Sequence, residues 1–213
     1  SNWGWQLMTR SVTLCKANTP EFLTVDDLIG RVKSGSRISI GGHHFARLPM
    51  AMIRKLAARN LSDLNYTSWA GGLPLEFLLE ANSIAEINIC FSSLDIFGLA
   101  PKFRKAIEKK QVVMHDWPAL ALISAFQARA QNLPFLPMQI PQGSSMFELC
   151  PGMRLYHNAE AKCPIALVNA VEIDFFLMHA PRADTAGNVE IFGAHALDKV
   201  QVGASANVFV TVD

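Results

Sequence analysis

The chain has 213 residues, half of them hydrophobic, which is enough for one sizeable core and too few for two comfortable domains. Its 19 Lys and Arg residues balance 18 Asp and Glu residues, so the charge gives no sign of a nucleic-acid or membrane partner. No C-x-x-C pair occurs among the four cysteines, which argues against a zinc knuckle and a disulfide scaffold. We expect a cytoplasmic protein, because the sequence lacks a long apolar run and a signal pattern.

Residues 1–24 are predicted to be a loop-like N-terminal extension. Ser1 and Asn2 stand where an initiator Met is expected, which is typical of a cleaved expression tag. Residues 25–213 are predicted to form a single α/β domain. Its first helix begins after Thr24, a good N-cap residue, because apolar side chains recur at helical spacing over 25–32.

The stretch ISIGGHHFARLP, residues 38–49, contains the first candidate site. A short strand over 37–40 leads directly into Gly41 and Gly42, and Pro49 pre-sets the first turn of a helix. Glycine lets the backbone approach a substrate closely, and amides at a helix start are good donors to an anion. The pair therefore predicts an oxyanion site, although a lone glycine pair is also consistent with a tight turn alone.

The same alternation then repeats along the chain. Strand-like segments over 64–68, 87–91 and 112–116 are each followed by a helix, predicted over 74–81, 102–110 and 119–130. This order predicts an α/β fold with an open, mostly parallel sheet flanked by helices, in which ligands bind beyond the carboxyl ends of the strands. The residues expected on this rim follow the strands: Gly41, Gly42, Trp69, Gly71, Gly72, Ser92, Ser93, His115 and Asp116.

A proline-rich segment follows Asn132 and cannot form a helix or a central strand. It contains Gln142, Gly143 and Ser144, whose amide and hydroxyl groups are suited to binding a carboxylate. A surface turn is the competing interpretation. Ser92 and Ser93, at a strand end, are interpreted either as substrate-binding hydroxyls or as helix caps. Further strands are predicted over 165–168, 175–179, 189–192 and 208–212.

These motifs together resemble the α (A) subunit of the class I coenzyme A transferases, of the glutaconate CoA-transferase type. The resemblance rests first on the strand, glycine pair and proline of 38–49. Three further stretches agree with the family: INICFSSLDIFGLAPKFRKAIEKKQVVMHDW (87–117), NLPFLPMQIPQGSSM (132–146) and HAPRADTAGNVEIFG (179–193). His43 departs from the family pattern, because an aromatic residue, usually Phe, is expected there. Arg47 stands where many members carry Gly, although glutaconate-type subunits resemble this chain at that position.

The resemblance implies the architecture shared by CoA-transferases and ribose-phosphate isomerases, and a hetero-oligomer, αβ or α2β2, that moves coenzyme A from an acyl-CoA to a carboxylic acid. The nucleophilic glutamate is expected on the β subunit, so this chain is expected to hold no certain catalytic residue. Coenzyme A is then a substrate, with no permanently bound cofactor. The implied oxyanion and substrate contacts are Gly41, Gly42, His43, Gly71, Gly72, Ser92, Ser93, Gln142, Gly143 and Ser144.

Several other residues invite a chemical role that the sequence does not favour. His43 and His44 are adjacent and lack a third ligand, so no metal site is predicted. His43 is expected either to shape the acyl pocket or hydrogen-bond the substrate, or to be a packed histidine. Glu148 is best interpreted as a solvated loop carboxylate, and Cys90 and Cys150 lack any cue for a lowered thiol pKa.

Two further functions compete with CoA transfer. Water in place of the acceptor acid would make the same scaffold an acyl-CoA hydrolase or ring-opening hydrolase. A ligand-sensing domain is ranked last, because the roughly two dozen residues before Val25 are too few for a DNA-binding helix pair.

Overall fold

The computed structural model describes residues 20–139, 145, 150–156 and 163–213. The helices within these residues are α1 Val25–Gly30, α2 Met50–Ala57, α3 Gly72–Glu80, α4 Pro101–Glu108, α5 Ala119–Ala130 and α6 Asp198–Ala204. The strands are β1 Arg37–Ile40, β2 Leu64–Thr67, β3 Ile84–Ile89, β4 Val113–Asp116, β5 Phe135–Gln139, β6 Met153–Tyr156, β7 Ile165–Asn169, β8 Ile173–Ala180, β9 Arg182–Ala183, β10 Val189–Glu190 and β11 Ser205–Val212.

Six of these strands form one parallel sheet in the order β11-β8-β1-β2-β3-β4. Strand β1 lies inside this sheet, where Ile38 is in register with Tyr66 on one side and Phe175 on the other. Because all six strands run the same way, the loops that follow them emerge at the same edge. The predicted α/β fold with a mostly parallel sheet is confirmed.

One face of the sheet packs against α1 to α4. Ile38, Tyr66 and Ile87 share a core cluster with Met52 and Leu75 of the covering helices. Helix α4 is anchored to α3 by Glu76, whose carboxylate accepts hydrogen bonds from the first free amides of α4 at 2.7 and 2.8 Å. A buried carboxylate therefore caps that helix in place of a local N-cap residue.

Helices α5 and α6 belong to a second core. Leu122 and Phe126 of α5 pack with Ala204 of α6, Ile173 of β8 and Val168 of β7. Strand β7 is the middle strand of a separate antiparallel sheet in the order β5-β7-β6. This second sheet extends the core beyond α5.

The chain-order predictions differ from the structure mainly in the C-terminal half. The bounds of β1 and α5 match the prediction, and Thr24 caps α1 as expected, with its hydroxyl accepting from the Asp27 amide at 3.2 Å. The proline-rich segment supplies an edge strand, β5, which contains Pro137 and is not central, as the prolines require. Helix α6 and strand β6 are absent from the prediction. Among the described residues, no helix is long and apolar enough to cross a membrane.

Candidate functional site

A cleft lies at the carboxyl ends of β1, β2 and β3. The described residues that line it come from the loops after these strands, within 40–48, 66–74 and 91–95, and from 196–201 around the start of α6. Gly41, Gly42, His43, Gly71, Gly72 and Ser93 are all among them. The structure thus brings most of the predicted rim residues together, although their binding roles stay predictions.

Some predicted rim residues lie elsewhere. Ser92 is next to the cleft, and His115 at the end of β4 faces Glu86 instead, with 3.3 Å between the imidazole Nε2 and the carboxylate. Gln142, Gly143 and Ser144 lie outside the described residues, as does Glu148.

The first glycine pair occupies positions where no side chain fits. A Cβ on Gly41 would lie 2.7 Å from Phe176 Cζ and 2.9 Å from Asp198 Oδ1. Gly42 has φ +95°, and a Cβ there would lie 2.7 and 2.8 Å from the carbonyl oxygens of Ala46 and Arg47. Close approach and backbone conformation therefore both require glycine at this turn.

The amides of these glycines have acceptors within the chain. The Gly41 amide donates to the Leu177 carbonyl at 2.9 Å, and the Gly42 amide donates to Asp198 Oδ1 at 3.0 Å. The Gly71 amide likewise donates to the Phe91 carbonyl at 2.9 Å. These acceptors come from distant segments that the local motif does not reveal, and the oxyanion role of these amides stays a prediction.

Ser92 contacts both residues of the second glycine pair. The Ser92 hydroxyl accepts from the Gly72 amide at 3.2 Å, at the start of α3. A Cβ on Gly71 would collide with Ser92 Oγ and would lie 2.8 Å from Leu75 Cδ2. Of the two roles considered for Ser92, substrate binding and helix capping, the observed contact is the capping one. Ser93 lines the cleft itself.

Aromatic rings form one wall of the cleft. The His43 ring stacks on Trp69 with 6.2 Å between centroids, and Trp69 meets Phe91 edge-on at 5.6 Å. The Trp69 indole N–H is buried and has no acceptor among the described residues. An unpaired buried donor costs about 1–3 kcal/mol, so an acceptor that entered this wall would recover that energy. Apolar walls with few polar groups are typical of small-molecule sites.

Buried hydroxyls hold the strand ends in place. Tyr66 donates towards the carbonyls of Ala70 and Gly71 at 3.2 and 3.3 Å, and Ser68 donates to the Ile40 carbonyl at 2.8 Å. Complete burial raises the pKa of the Tyr66 hydroxyl, so it stays a neutral donor. The floor of the cleft is consequently fixed by hydrogen bonds between neighbouring loops.

Two titratable side chains face each other at the mouth of the cleft. His44 Nδ1 lies 3.4 Å from Asp95 Oδ2, and both side chains are about half exposed. Both residues have positive φ, at 50° and 52°. Asp95 is the one carboxylate among the described residues that line the cleft.

Thiol and metal chemistry find no support among the described residues. Burial raises the pKa of the Cys90 thiol to about 12 and also raises that of Cys150, so neither thiol ionises readily. The described parts of the chain contain no group of three metal-ligating side chains.

Sequence reasoning misses the charged pair behind the first glycine turn. Arg47 and Asp198 form a buried ion pair, with 2.5 Å between Nη1 and Oδ2. The sequence carries only a weak signal for this pair, because the two residues are 151 positions apart and Asp198 lies in a helix that the sequence pattern does not predict.

A family model described as Coenzyme A transferase matches residues 22–213. The cholesterol ring-cleaving hydrolase IpdA subunit of Rhodococcus jostii is 29% identical over 90% of this chain and 67% of its own length. The A-type subunit of glutaconate CoA-transferase from Acidaminococcus fermentans is 24% identical over 90% of this chain and 65% of its own length.

A solved structure gives the same picture of the fold. A variant of the decarboxylase AibA/AibB superposes with a TM-score of 0.83 at 25% identity, over 91% of this chain and 74% of the other. The chain spans 65% and 67% of the two curated relatives above, and 41% of a third, from Archaeoglobus fulgidus.

Proposed function

The chain belongs to the coenzyme A transferase family, and we propose that it forms the α-subunit part of an active site that moves coenzyme A from an acyl-CoA to a carboxylic acid. One observation carries this proposal: two glycine turns from neighbouring parallel strands meet in one cleft beside an aromatic wall. Relatives named as the A-type subunits of glutaconate and 3-oxoadipate CoA-transferases support the same reaction class.

The size of the cleft fits the reacting end of an acyl-CoA better than the whole molecule. The centres of water-sized groups can occupy about 50 Å³ within it. Since each water-sized group needs about 10–15 Å³ of such space, a carboxylate or thioester head fits and a nucleotide does not. We infer that coenzyme A and the attacking carboxylate enter from beyond the described cleft.

The two glycine turns are proposed to contact the thioester. A carboxylate that attacks the thioester carbonyl produces a tetrahedral oxyanion, and donors already in place stabilise it. The amides of Gly42 and Gly72 are held by side chains, Asp198 and Ser92, so an oxyanion would compete with these acceptors. Gly41, Gly42, Gly71 and Gly72 are therefore proposed as substrate-contact residues of the two turns, and His43 and Ser93 keep their proposed substrate roles. So do Gln142, Gly143 and Ser144.

The nucleophile is proposed to come from a partner chain of the β-subunit type. An apolar surface next to the cleft offers a docking site for it: Ile96 is 85% exposed and Phe97 74% exposed, and Leu99 in the same loop is also exposed. The Phe97 ring meets Phe45 edge-on at 5.6 Å, and Phe45 lines the cleft. Apolar surface of this kind is costly in water and typical of an interface, so this partner would seat against the cleft mouth.

The experiment that tests CoA transfer uses the chain co-expressed with a candidate partner of the β-subunit type. Free thiol and new acyl-CoA are measured with acetyl-CoA as donor, with and without a panel of short-chain and dicarboxylic acids. Transfer is supported when acyl exchange requires an added acid and a glutamyl-CoA adduct is detected by mass on the partner chain. Exchange without any adduct on either chain would reject the covalent route.

The docking surface has a separate test with a matched control. Phe97→Ser should weaken association with the partner, since it removes exposed apolar area at the cleft mouth. Leu120→Ser removes a similarly exposed apolar side chain of α5 that does not line the cleft, and it should leave association unchanged. Equal association of both variants with the partner would contradict the proposed surface.

Hydrolysis of the acyl-CoA is the second candidate, favoured by His44 and Asp95 at the cleft mouth. His44 Nδ1 faces Asp95, which leaves Nε2 to take a proton from water. The resulting hydroxide would attack the thioester carbon, the C–S bond would break, and the thiolate would take a proton, giving the free acid and coenzyme A. Thiol release without an added acid, lost in His44→Ala, would support hydrolysis over transfer.

A further inference from the structure

A buried carboxylate ties the glycine turn to the last helix. The side chain of Asp198, at the first turn of α6, is 1% exposed, and that of Arg47 is 8% exposed. Arg47 Nη1 contacts Asp198 Oδ2 at 2.5 Å, while its other terminal nitrogen donates to the Ala194 carbonyl. Both charges are therefore paired away from water, near a cleft whose lining includes Leu197, just before this helix, and Gln201 within it.

The second oxygen of the same carboxylate holds the start of the loop. Asp198 Oδ1 accepts from the Gly42 amide at 3.0 Å, across 156 positions of sequence. One side chain thus binds both ends of the segment 42–47, Gly42 through the backbone and Arg47 through the guanidinium. Gly41 allows this approach, because a Cβ there would lie 2.9 Å from the same oxygen.

The residues between these two anchors form the cleft side of the turn. His43 and Ala46 exchange two backbone hydrogen bonds of 3.0 and 2.8 Å, so 43–46 is a closed turn. His43, His44 and Phe45 all line the cleft. The turn has its own internal bonds, so what remains to be fixed is its orientation relative to the second glycine pair.

We propose that Asp198 is a positioning residue, which fixes the 42–47 turn through the Gly42 amide so that His43 and the turn backbone face the substrate. The inference rests on the proposed function for its catalytic readout. A purely stabilising role explains the arrangement less well, because a buried ion pair is often no better for stability than a matched apolar pair. The bond to the Gly42 amide, in contrast, sets where one specific peptide group points.

The deciding comparison uses two double variants that share Arg47→Met. In R47M/D198N the side-chain amide oxygen can still accept from Gly42, whereas in R47M/D198L the isosteric side chain has no acceptor. Neither variant leaves an unpaired buried charge at positions 47 and 198. We expect R47M/D198N, in complex with the partner chain, to keep kcat within a few-fold of wild type. R47M/D198L should lose about 100-fold in kcat with little change in KM, the size of effect expected for a displaced site. Equal kcat values for the two variants would overturn the proposal.

A second readout does not depend on activity. Amide hydrogen exchange of the full chain, resolved at Gly42 and over 43–47, should be slow in wild type and R47M/D198N. In R47M/D198L it should be faster at those residues while the β1 and β8 amides stay protected. Equal protection of Gly42 in both double variants refutes the positioning role. If no form of the complex transfers coenzyme A, the proposed function fails, and the exchange comparison still decides whether Asp198 positions the turn.

Discussion

Replacing Gly42 with alanine should destabilise the protein more than the same replacement at Gly35 or Gly30, two glycines away from the cleft. The residue has φ +95°, which costs an L-residue about 1–2 kcal/mol. In addition, the new Cβ would lie 2.7 and 2.8 Å from two backbone carbonyl oxygens, which cannot rotate away as a side chain would. Overpacking of this kind costs about 1–3 kcal/mol, so the expected loss is about 2–5 kcal/mol in the free energy of unfolding.

Two other glycines separate the cost of the backbone conformation from the cost of the steric contacts. Gly35 has φ +80° with nothing within 4 Å of a built Cβ, so Gly35→Ala measures the backbone cost alone, about 1–2 kcal/mol. Gly30 lies in α1 with ordinary φ and open space, so Gly30→Ala should stabilise by about 0.5–1 kcal/mol. The order of stability predicted is therefore G30A, wild type, G35A and then G42A.

Urea unfolding followed by circular dichroism gives the change in the free energy of unfolding for the three variants. The comparison requires that the slope of this free energy against urea concentration is the same for each variant. A Gly42→Ala variant that loses no more stability than Gly35→Ala would refute the reasoning. It would mean that the turn can shift to accept a side chain, and that the close packing around Gly42 is not a constraint.

Three further outcomes are expected. Arg37 holds the pKa of Asp174 below its usual range through hydrogen bonds, so the unfolded chain takes up the proton at higher pH than the folded chain. The stability that this pair contributes is complete above the ordinary carboxyl pKa and is lost as the pH falls through the lowered pKa of Asp174. The free energy of unfolding in urea should therefore fall more between about pH 5 and pH 3 for wild type than for Asp174→Asn. Glu76→Ala should cost about 2 kcal/mol in urea unfolding, because two amides of α4 lose their buried acceptor; an unchanged midpoint would rule out the cap. At pH 8, peptide mapping should show slower alkylation of Cys90 by iodoacetamide in the folded chain, where the thiol pKa is raised to about 12, than in urea.

The sequence predicts the N-terminal half well because its signals are local. Strand β1 ends at a glycine pair, and α5 runs between Pro118 and Asn132 with an almost unbroken apolar pattern, so the sequence pattern locates both correctly. The alternation of strands and helices then places the loop ends on one rim, which is where the cleft lies.

Helix α6 escapes prediction because its buried face is polar. Asp198 and Gln201 are 1% and 2% exposed, and their partners are Gly42 and Ser39, more than 150 positions away. A periodicity of apolar residues cannot reveal a helix that buries a carboxylate and an amide against another segment. The same distance explains why the sequence does not reveal the acceptor of the Gly42 amide.

The second sheet carries a proline in the outer strand β5, where Pro137 is opposite Leu167. A proline has no N–H, so β5 offers an incomplete set of donors to a strand from another molecule. Exposed apolar side chains such as Ile96 and Phe97 put a chain at risk of self-association in water. The proline at this edge lowers one part of that risk, since it discourages growth of the sheet from one copy to the next.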